Sequence, residues 1–153
     1  MSNWKLRDVP PICERMIGFS VPLNGRILVV SYEGTHTIHL STEITVEHDD
    51  EYIEYDIYDP ETGIARYGEH DYSIIGLQGG HPLLRSPQGE TLILDADSET
   101  LTVNHDGEIV YTLKYENFSG DWAAVTFSPD GQWIALGCPY DFDFVLLERK
   151  EAA

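Results

Sequence analysis

The residues with the clearest chemical potential form a charged run in the middle of the chain. Glu47, His48, Asp49, Asp50 and Glu51 are consecutive. Carboxylate oxygens spaced along a loop are the ligands that hard cations such as Ca²⁺ prefer, and a neighbouring histidine can transfer a proton. The run lacks the residue order and the glycine of a calcium loop. We therefore expect a solvated hairpin tip here, and we predict no catalytic residue, no metal ligand and no cofactor.

The histidines and cysteines do not form a recognisable chemical motif. None of the six histidines belongs to an HExxH sequence. His36 and His39 lie an odd number of residues apart in a predicted strand, so their side chains should point to opposite faces. Cys13 and Cys138 lie far apart and are not part of a CxxC sequence. We expect both to be free, buried thiols.

The charge balance of the chain limits the class of partner. The net charge is −18, from 27 acidic residues against 9 Lys and Arg. Such a surface repels phosphate backbones and anionic membranes and attracts basic proteins, so neither a nucleic acid nor a membrane is an expected partner. Solubility and adaptation to salt explain the charge equally well. The sequence contains no apolar run of membrane-spanning length and no signal-peptide core near Met1, which predicts a cytoplasmic protein.

Aromatic residues beside the carboxylates indicate how a basic partner would be held. Tyrosine rings contact Lys and Arg side chains through cation–π interactions and hydrogen bonds, while the carboxylates attract the charge. Core packing and cross-strand pairing account equally well for about half of these aromatic residues. The predicted binding residues are Glu47, Asp49, Asp50, Glu51, Tyr52, Glu54, Tyr140, Asp141 and Asp143.

The elements that would position these residues are predicted to be β-strands. Apolar and polar residues alternate over 35–42 and 52–58, and residues 26–32 are apolar almost throughout, as in a strand covered on both faces. The sequence Ser128-Pro129-Asp130-Gly131 marks a tight turn between two such runs. Ser86-Pro87-Gln88-Gly89 matches it closely, and a weaker copy ends at Gly25.

The chain resembles WD40-like β-propeller blades at two places. Residues 127–135 are similar to the inner hairpin of a blade, and residues 57–63 are similar to the end of an outer strand with its turn. The spacing of Gly89 and Gly131 is close to the blade period of about 40–45 residues. The resemblance implies one all-β, propeller-like domain over residues 1–153, with about three blades at 16–66, 67–117 and 120–149.

The number of blades leaves the architecture open. The third repeat contains only three strands, so its fourth edge position stays open to a partner unless residues 4–9 fill it. Two chains could complete one ring as a homodimer. Alternatively, the hairpins could pack as a β-sandwich or a small barrel.

Three functions follow from these observations. The leading hypothesis is a non-catalytic, acidic protein–protein interaction module, such as an inhibitor or immunity protein that binds a basic partner. The first alternative is a metal-dependent hydrolase that uses the acidic and histidine cluster at 47–56. The second alternative is a structural scaffold that associates with itself.

Overall fold

The protein is an all-β protein built from antiparallel sheets. A computed structural model describes residues 3–51, 54–117, 121–140 and 144–150. The strands are β1 Trp4–Arg7, β2 Met16–Ser20, β3 Arg26–Ser31, β4 Thr35–His39, β5 Thr45–Asp49, β6 Tyr58–Asp59, β7 Ile64–Tyr67, β8 His70–Gly76, β9 Glu90–Asp95, β10 Thr100–His105, β11 Glu108–Lys114, β12 Ala124–Phe127, β13 Trp133–Gly137 and β14 Val145–Arg149. A single helical turn, α1 Glu54–Ile57, precedes β6.

The largest sheet has seven strands in the order β5-β4-β3-β2-β8-β7-β6. Its third strand, β3, is covered on both faces, as the apolar run predicts. Ile27 and Val29 belong to one core cluster, whereas Leu28 and Val30 belong to another. Ala65 of β7 packs in the same cluster as Leu28 and Val30. The sheet is therefore curled into half a barrel, with a core of its own on the concave face.

A four-stranded sheet in the order β1-β14-β13-β12 forms the middle layer. On one face Ala135 and Leu146 join the core of the seven-stranded sheet. On the other face Ile134, Leu136 and Leu147 join the core beneath the three-stranded sheet β11-β10-β9. The middle sheet is thus buried between two others.

The amino-terminal strand completes the middle sheet, so the fourth position of the third repeat is filled from within the chain. Trp4 pairs with Arg149 and Arg7 pairs with Leu146 along β14. The structure shows an all-β fold of antiparallel sheets with one curled half-barrel. The arrangement of these sheets as a ring of propeller blades stays a prediction. No helix among the described residues is long and apolar enough to cross a membrane.

The two best-matched turns have the same construction in the structure. Gly131 donates its amide to the carbonyl of Ser128 at 2.9 Å, and Gly89 donates to that of Ser86 at 3.0 Å. Both glycines have positive φ, 74° and 86°, a conformation that residues with a side chain rarely adopt. The prediction that β12 and β13 form a tight hairpin is confirmed.

Two further predictions have clear outcomes. Cys13 and Cys138 are both free and buried, as expected. The strand predicted over 52–58 is wrong, because Glu54–Ile57 forms α1 and only Tyr58–Asp59 is extended. Apolar residues at 53 and 57 are four apart, which suits one turn of helix as well as a strand. The chain must also turn here from β5, at one edge of the sheet, to β6, at the other.

Candidate functional site

Strand β5 separates the charged run into two faces. Glu47 and Asp49 lie opposite Thr37 and Thr35 of β4, whereas His48 lies opposite His36. Because side chains alternate along a strand, His48 points away from the face that carries the two carboxylates. Glu47 is exposed and its Oε1 lies 2.9 Å from Nε2 of His39. The prediction that His36 and His39 point to opposite faces of β4 is confirmed. The side chains of Glu47, His48 and Asp49 likewise lie on two faces of β5 and do not form a single site.

The acidic face of β5 is tied to the far side of the same sheet. The hydroxyl of Tyr67 donates to Oδ2 of Asp49 at 2.6 Å. Asp49 also accepts the backbone amide of Glu51 at 3.0 Å through Oδ1, which turns the chain after the strand. Asp50 and Glu51 remain exposed. Asp49 is therefore a structural anchor, and its two neighbours present their carboxylates to solvent.

A recess of about 500 Å³ opens beside Tyr67. The carboxylates of Asp56 and Glu69 and the side chain of Ile57 line it together with Arg66. Tyr58, the first residue of β6, directly follows Ile57 of the recess lining. Burial raises the pKa of Tyr58, and the charge of Asp59 raises it further by a smaller amount. The phenol is therefore neutral at physiological pH, and the charge of the recess comes from its carboxylates and Arg66.

The surroundings of the recess are strongly acidic in sequence. Between residues 43 and 71, Arg66 is the only Lys or Arg. Arg66 is itself paired with Asp71 at 3.4 Å. The acidic residues of this stretch are Glu43, Glu47, Asp49, Asp50, Glu51, Glu54, Asp56, Asp59, Glu61, Glu69 and Asp71.

Tyr140 lies at the same end of the seven-stranded sheet as Asp49. Its neighbour Pro139 accepts the amide of Met16, where β2 begins, at 2.7 Å. Strand β5 ends at Asp49 at this same end, since the four strands β2 to β5 run up and down in succession. The guanidinium of Arg15 lies 5.7 Å from the centre of the Tyr140 ring. This contact already shows the cation–π mode that was predicted for a partner.

Some of the predicted binding residues cannot be placed. Tyr52, Asp141 and Asp143 lie outside the described residues, and so does the side chain of Glu54. Glu47, Asp49, Asp50, Glu51 and Tyr140 are placed at or near one end of the sheet. The list did not include Tyr67, because only the curl of the sheet, which has no local sequence signal, brings it to Asp49. It also did not include Asp56 and Glu69, which line the recess beside Tyr67.

On the opposite face of β5, a chain of hydrogen bonds runs from Ser31 through His36 to His48. The Oγ atom of Ser31 lies 2.8 Å from Nε2 of His36, and Nδ1 of His36 lies 2.9 Å from Nδ1 of His48. The single hydroxyl hydrogen of Ser31 is donated to the carbonyl of Gly34 at 3.0 Å. In the tautomer in which His36 donates from Nε2 to Ser31, its Nδ1 accepts from His48.

The hydrogen-bonded series Ser31–His36–His48 has the order of a nucleophile and its base, but it is not arranged for hydrolysis. Ser31 is 0% exposed, so a substrate cannot reach its hydroxyl. Its oxygen also accepts the amide of Glu33 at 3.1 Å, which fixes the loop after β3. Among the described residues, no group of three or more His, Cys, Asp or Glu side chains is arranged to hold a metal ion.

Comparisons with protein-family models, with curated proteins and with solved structures found no match to the chain.

Proposed function

We propose that this protein binds a basic protein partner through an acidic rim, defined here as Glu47, Asp50, Glu51, Asp56 and Glu69. The observation that carries the proposal is the hydrogen bond between Tyr67 and Asp49. It joins β5 to β7, in opposite halves of the curled sheet. The segment that carries Glu47, Asp50 and Glu51 is thereby attached to Tyr67, which lines the recess together with Asp56 and Glu69. The net charge of −18 supports a basic partner, because long-range attraction speeds the encounter of oppositely charged proteins.

The recess beside Tyr67 suits the side chain of a lysine or arginine. Ile57 offers an apolar wall for the methylene groups, while the Asp56 and Glu69 carboxylates suit the cationic head. Among the described residues, Arg7, Arg15, Arg66 and Arg149 form ion pairs within the chain. Arg7, Arg15 and Arg149 pair with carboxylates outside the rim, whereas Arg66 lines the recess and pairs with Asp71. An inhibitor or immunity protein that neutralises a basic toxin is one form of this proposal.

We also propose that the three predicted repeats correspond to three four-stranded, blade-like units. Strands β2 to β5 form the first unit, and β12 to β14 with β1 form the third. In the second, residues 84–86 run beside β9, since Leu84 and Ser86 exchange backbone hydrogen bonds with Leu92 and Glu90. An experimental structure in which this segment lies away from β9 would contradict the proposal.

A charge-matched pair of variants tests the rim. In the first, Glu47→Gln, Asp50→Asn and Glu51→Gln remove three carboxylates from the rim but keep Asp49 and its bond to Tyr67. In the second, Asp97→Asn, Asp106→Asn and Glu108→Gln remove three carboxylates from turns and a strand end of the three-stranded sheet. Both variants change the net charge equally, so a difference between them reports the location of the charge.

The measurement is the Kd of a basic protein captured from cells that naturally produce the chain. We expect the rim variant to bind it at least about tenfold more weakly, and the control to change by less than about twofold. Wild-type binding should also weaken from about 50 to about 500 mM salt, since salt screens exposed charges. Equal losses in the two variants, or a Kd independent of salt, would contradict the proposal.

A further inference from the structure

His36 and His48 bring two imidazole nitrogens close together on neighbouring strands. The residues lie directly opposite each other on β4 and β5, and their Nδ1 atoms are 2.9 Å apart. The rings are tilted by 78°, with their centres 5.1 Å apart. Imidazole nitrogens are the commonest protein ligands for transition metals, and a pair held on adjacent strands can chelate one ion.

Ser31 prepares His36 to act as a ligand. When the hydroxyl of Ser31 donates to Gly34 and accepts the Nε2 proton of His36, the lone pair of Nδ1 is directed toward His48. Histidines that ligate metals commonly donate their other ring N–H to a fixed acceptor, which sets the tautomer and the orientation of the ring. Ser31 is such an acceptor, because its own hydrogen is engaged by Gly34.

We propose that His36 and His48 form a bidentate site, through their Nδ1 atoms, for a divalent transition metal that prefers tetragonal coordination, such as Cu²⁺ or Ni²⁺. His48 is exposed and its Nε2 can carry the proton that now lies on Nδ1. After that change of tautomer, the lone pair of Nδ1 of His48 can bind the metal beside Nδ1 of His36. Water fills the remaining coordination positions.

The distance between the nitrogens selects among metals. With metal–nitrogen bonds of about 2.0–2.1 Å, two nitrogens 2.9 Å apart subtend an angle of about 90° at the metal. This is the angle between neighbouring ligands in square-planar or octahedral coordination. Tetrahedral coordination, which Zn²⁺ prefers, needs a separation of roughly 3.3–3.4 Å. The pair therefore fits Cu²⁺ or Ni²⁺ better than Zn²⁺.

The surroundings favour a cation at this position. His48 is flanked in sequence by Glu47 and Asp49, and the chain as a whole is strongly negative. His36 is only 5% exposed, so its ring is held by packing and by Ser31, whereas His48 can adjust at the surface. The ring of His48 can therefore turn its Nδ1 toward an ion bound by the fixed ring of His36, with little movement of the backbone.

The experiment titrates the untagged protein with Cu²⁺ alone, after acetylation of its amino-terminal amine, which would otherwise bind copper. We expect one equivalent to bind, with electron paramagnetic resonance showing coupling to two imidazole nitrogens. In His48→Gln the affinity should fall at least about tenfold and the coupling to one nitrogen should be lost. His39→Gln is the matched control, because His39 is on the other face of β4, and its affinity should be unchanged.

Three results would overturn the proposal. The first is the absence of a stoichiometric copper site in the wild-type protein. The second is copper binding that survives His48→Gln in a variant whose circular dichroism matches that of the wild type. The third is tighter binding of Zn²⁺ than of Ni²⁺, which would contradict the right-angled arrangement. Because His48 is exposed, its replacement should leave the fold intact, and binding of the basic partner is measured separately.

Discussion

The hydroxyl of Tyr67 lies 2.6 Å from Oδ2 of Asp49, although four strands separate β7 from β5 in the same sheet. A flat sheet would hold these residues far apart, since neighbouring strands are about 4.8 Å apart. The contact therefore exists only because the sheet curls until its two halves meet. It also connects the fold to the proposed function, because it attaches the carboxyl end of β5 to Tyr67, a residue that lines the recess.

The first prediction is that Tyr67→Phe loosens this closure without unfolding the protein. The change removes one hydrogen bond to a charged, half-buried carboxylate, and we expect a loss of about 1 kcal/mol in the free energy of unfolding. Hydrogen exchange should accelerate in β5 and β7 and stay unchanged in β13. Tyr32→Phe is the control, because Tyr32 is 55% exposed. Equal exchange rates in wild type and Tyr67→Phe would show that the bond does not hold the curl.

The second prediction concerns the ion pair between Glu90 and Arg149. Both guanidinium ends of Arg149 contact the Glu90 carboxylate, its Nε donates to the carbonyl of Gly131 at 3.1 Å, and its plane lies over the ring of Trp4. Arg149, at the end of β14, thus joins Glu90, the first residue of β9, to the turn before β13. The side chain of Arg149 is only 16% exposed, so replacing Glu90 leaves a largely buried guanidinium charge without its carboxylate.

We expect Glu90→Ala to lower the free energy of unfolding in urea by about 3–5 kcal/mol. The matched control is Asp71→Ala, which breaks the exposed pair with Arg66 and should cost less than about 1 kcal/mol. The double variant Glu90→Gln with Arg149→Met removes both charges and should recover part of the loss. Similar costs for the buried and the exposed pair would contradict this account of the interface between the sheets.

The sequence predicted the local parts of the fold better than the long-range ones. The turn residues before Gly131 specified the β12–β13 hairpin, and the apolar run of β3 specified burial on both faces. Counting strands indicated that the third repeat lacked one strand, but it did not decide between an open edge and closure by β1. The pairing of β2 with β8 was not foreseen, because it joins residues far apart in sequence and uses no special turn.

In the candidate site, too, the local features could be predicted from the sequence and the long-range contacts could not. Alternation along β4 separated His36 from His39 correctly, since it depends on neighbouring residues alone. The contact of His36 with His48 needed the register of β4 against β5, which the turn between them did not reveal. The contact of Tyr67 with Asp49 needed the curl, which arises from packing in the whole sheet.

The third prediction tests the junction of β2 and β8. Gly18 pairs with Gly76, and a Cβ atom at Gly18 would lie 2.6 Å from the backbone oxygen of Ile75. A backbone atom in a paired strand cannot move away cheaply, so Gly18→Ala should separate the strands. We expect a loss of at least about 2 kcal/mol in the free energy of unfolding. Gly107→Ala is unsuitable as a control because of its positive φ, and Thr112→Ala on the exposed surface of β11 serves instead.

The fourth prediction is a loss of stability in alkali that depends on Tyr115. Burial raises the pKa of Tyr115, and the nearby charges of Cys138, Glu99 and Asp95 raise it further. The folded protein therefore holds the neutral phenol more firmly than the unfolded chain does. The resulting stabilisation is complete below the unfolded pKa of about 10 and is lost as the pH rises through the higher folded pKa.

Absorbance at 295 nm should show that part of the tyrosine signal titrates above pH 10 in the folded protein and near pH 10 in denaturant. Burial also raises the pKa of Tyr58 and Tyr111, so these residues should contribute to the late phase. Tyr115→Phe should reduce that phase by one residue and should make unfolding less dependent on pH between about 10 and 12. If Tyr115→Phe leaves the late phase unchanged, the phenol of Tyr115 is not held neutral by the core beneath the three-stranded sheet.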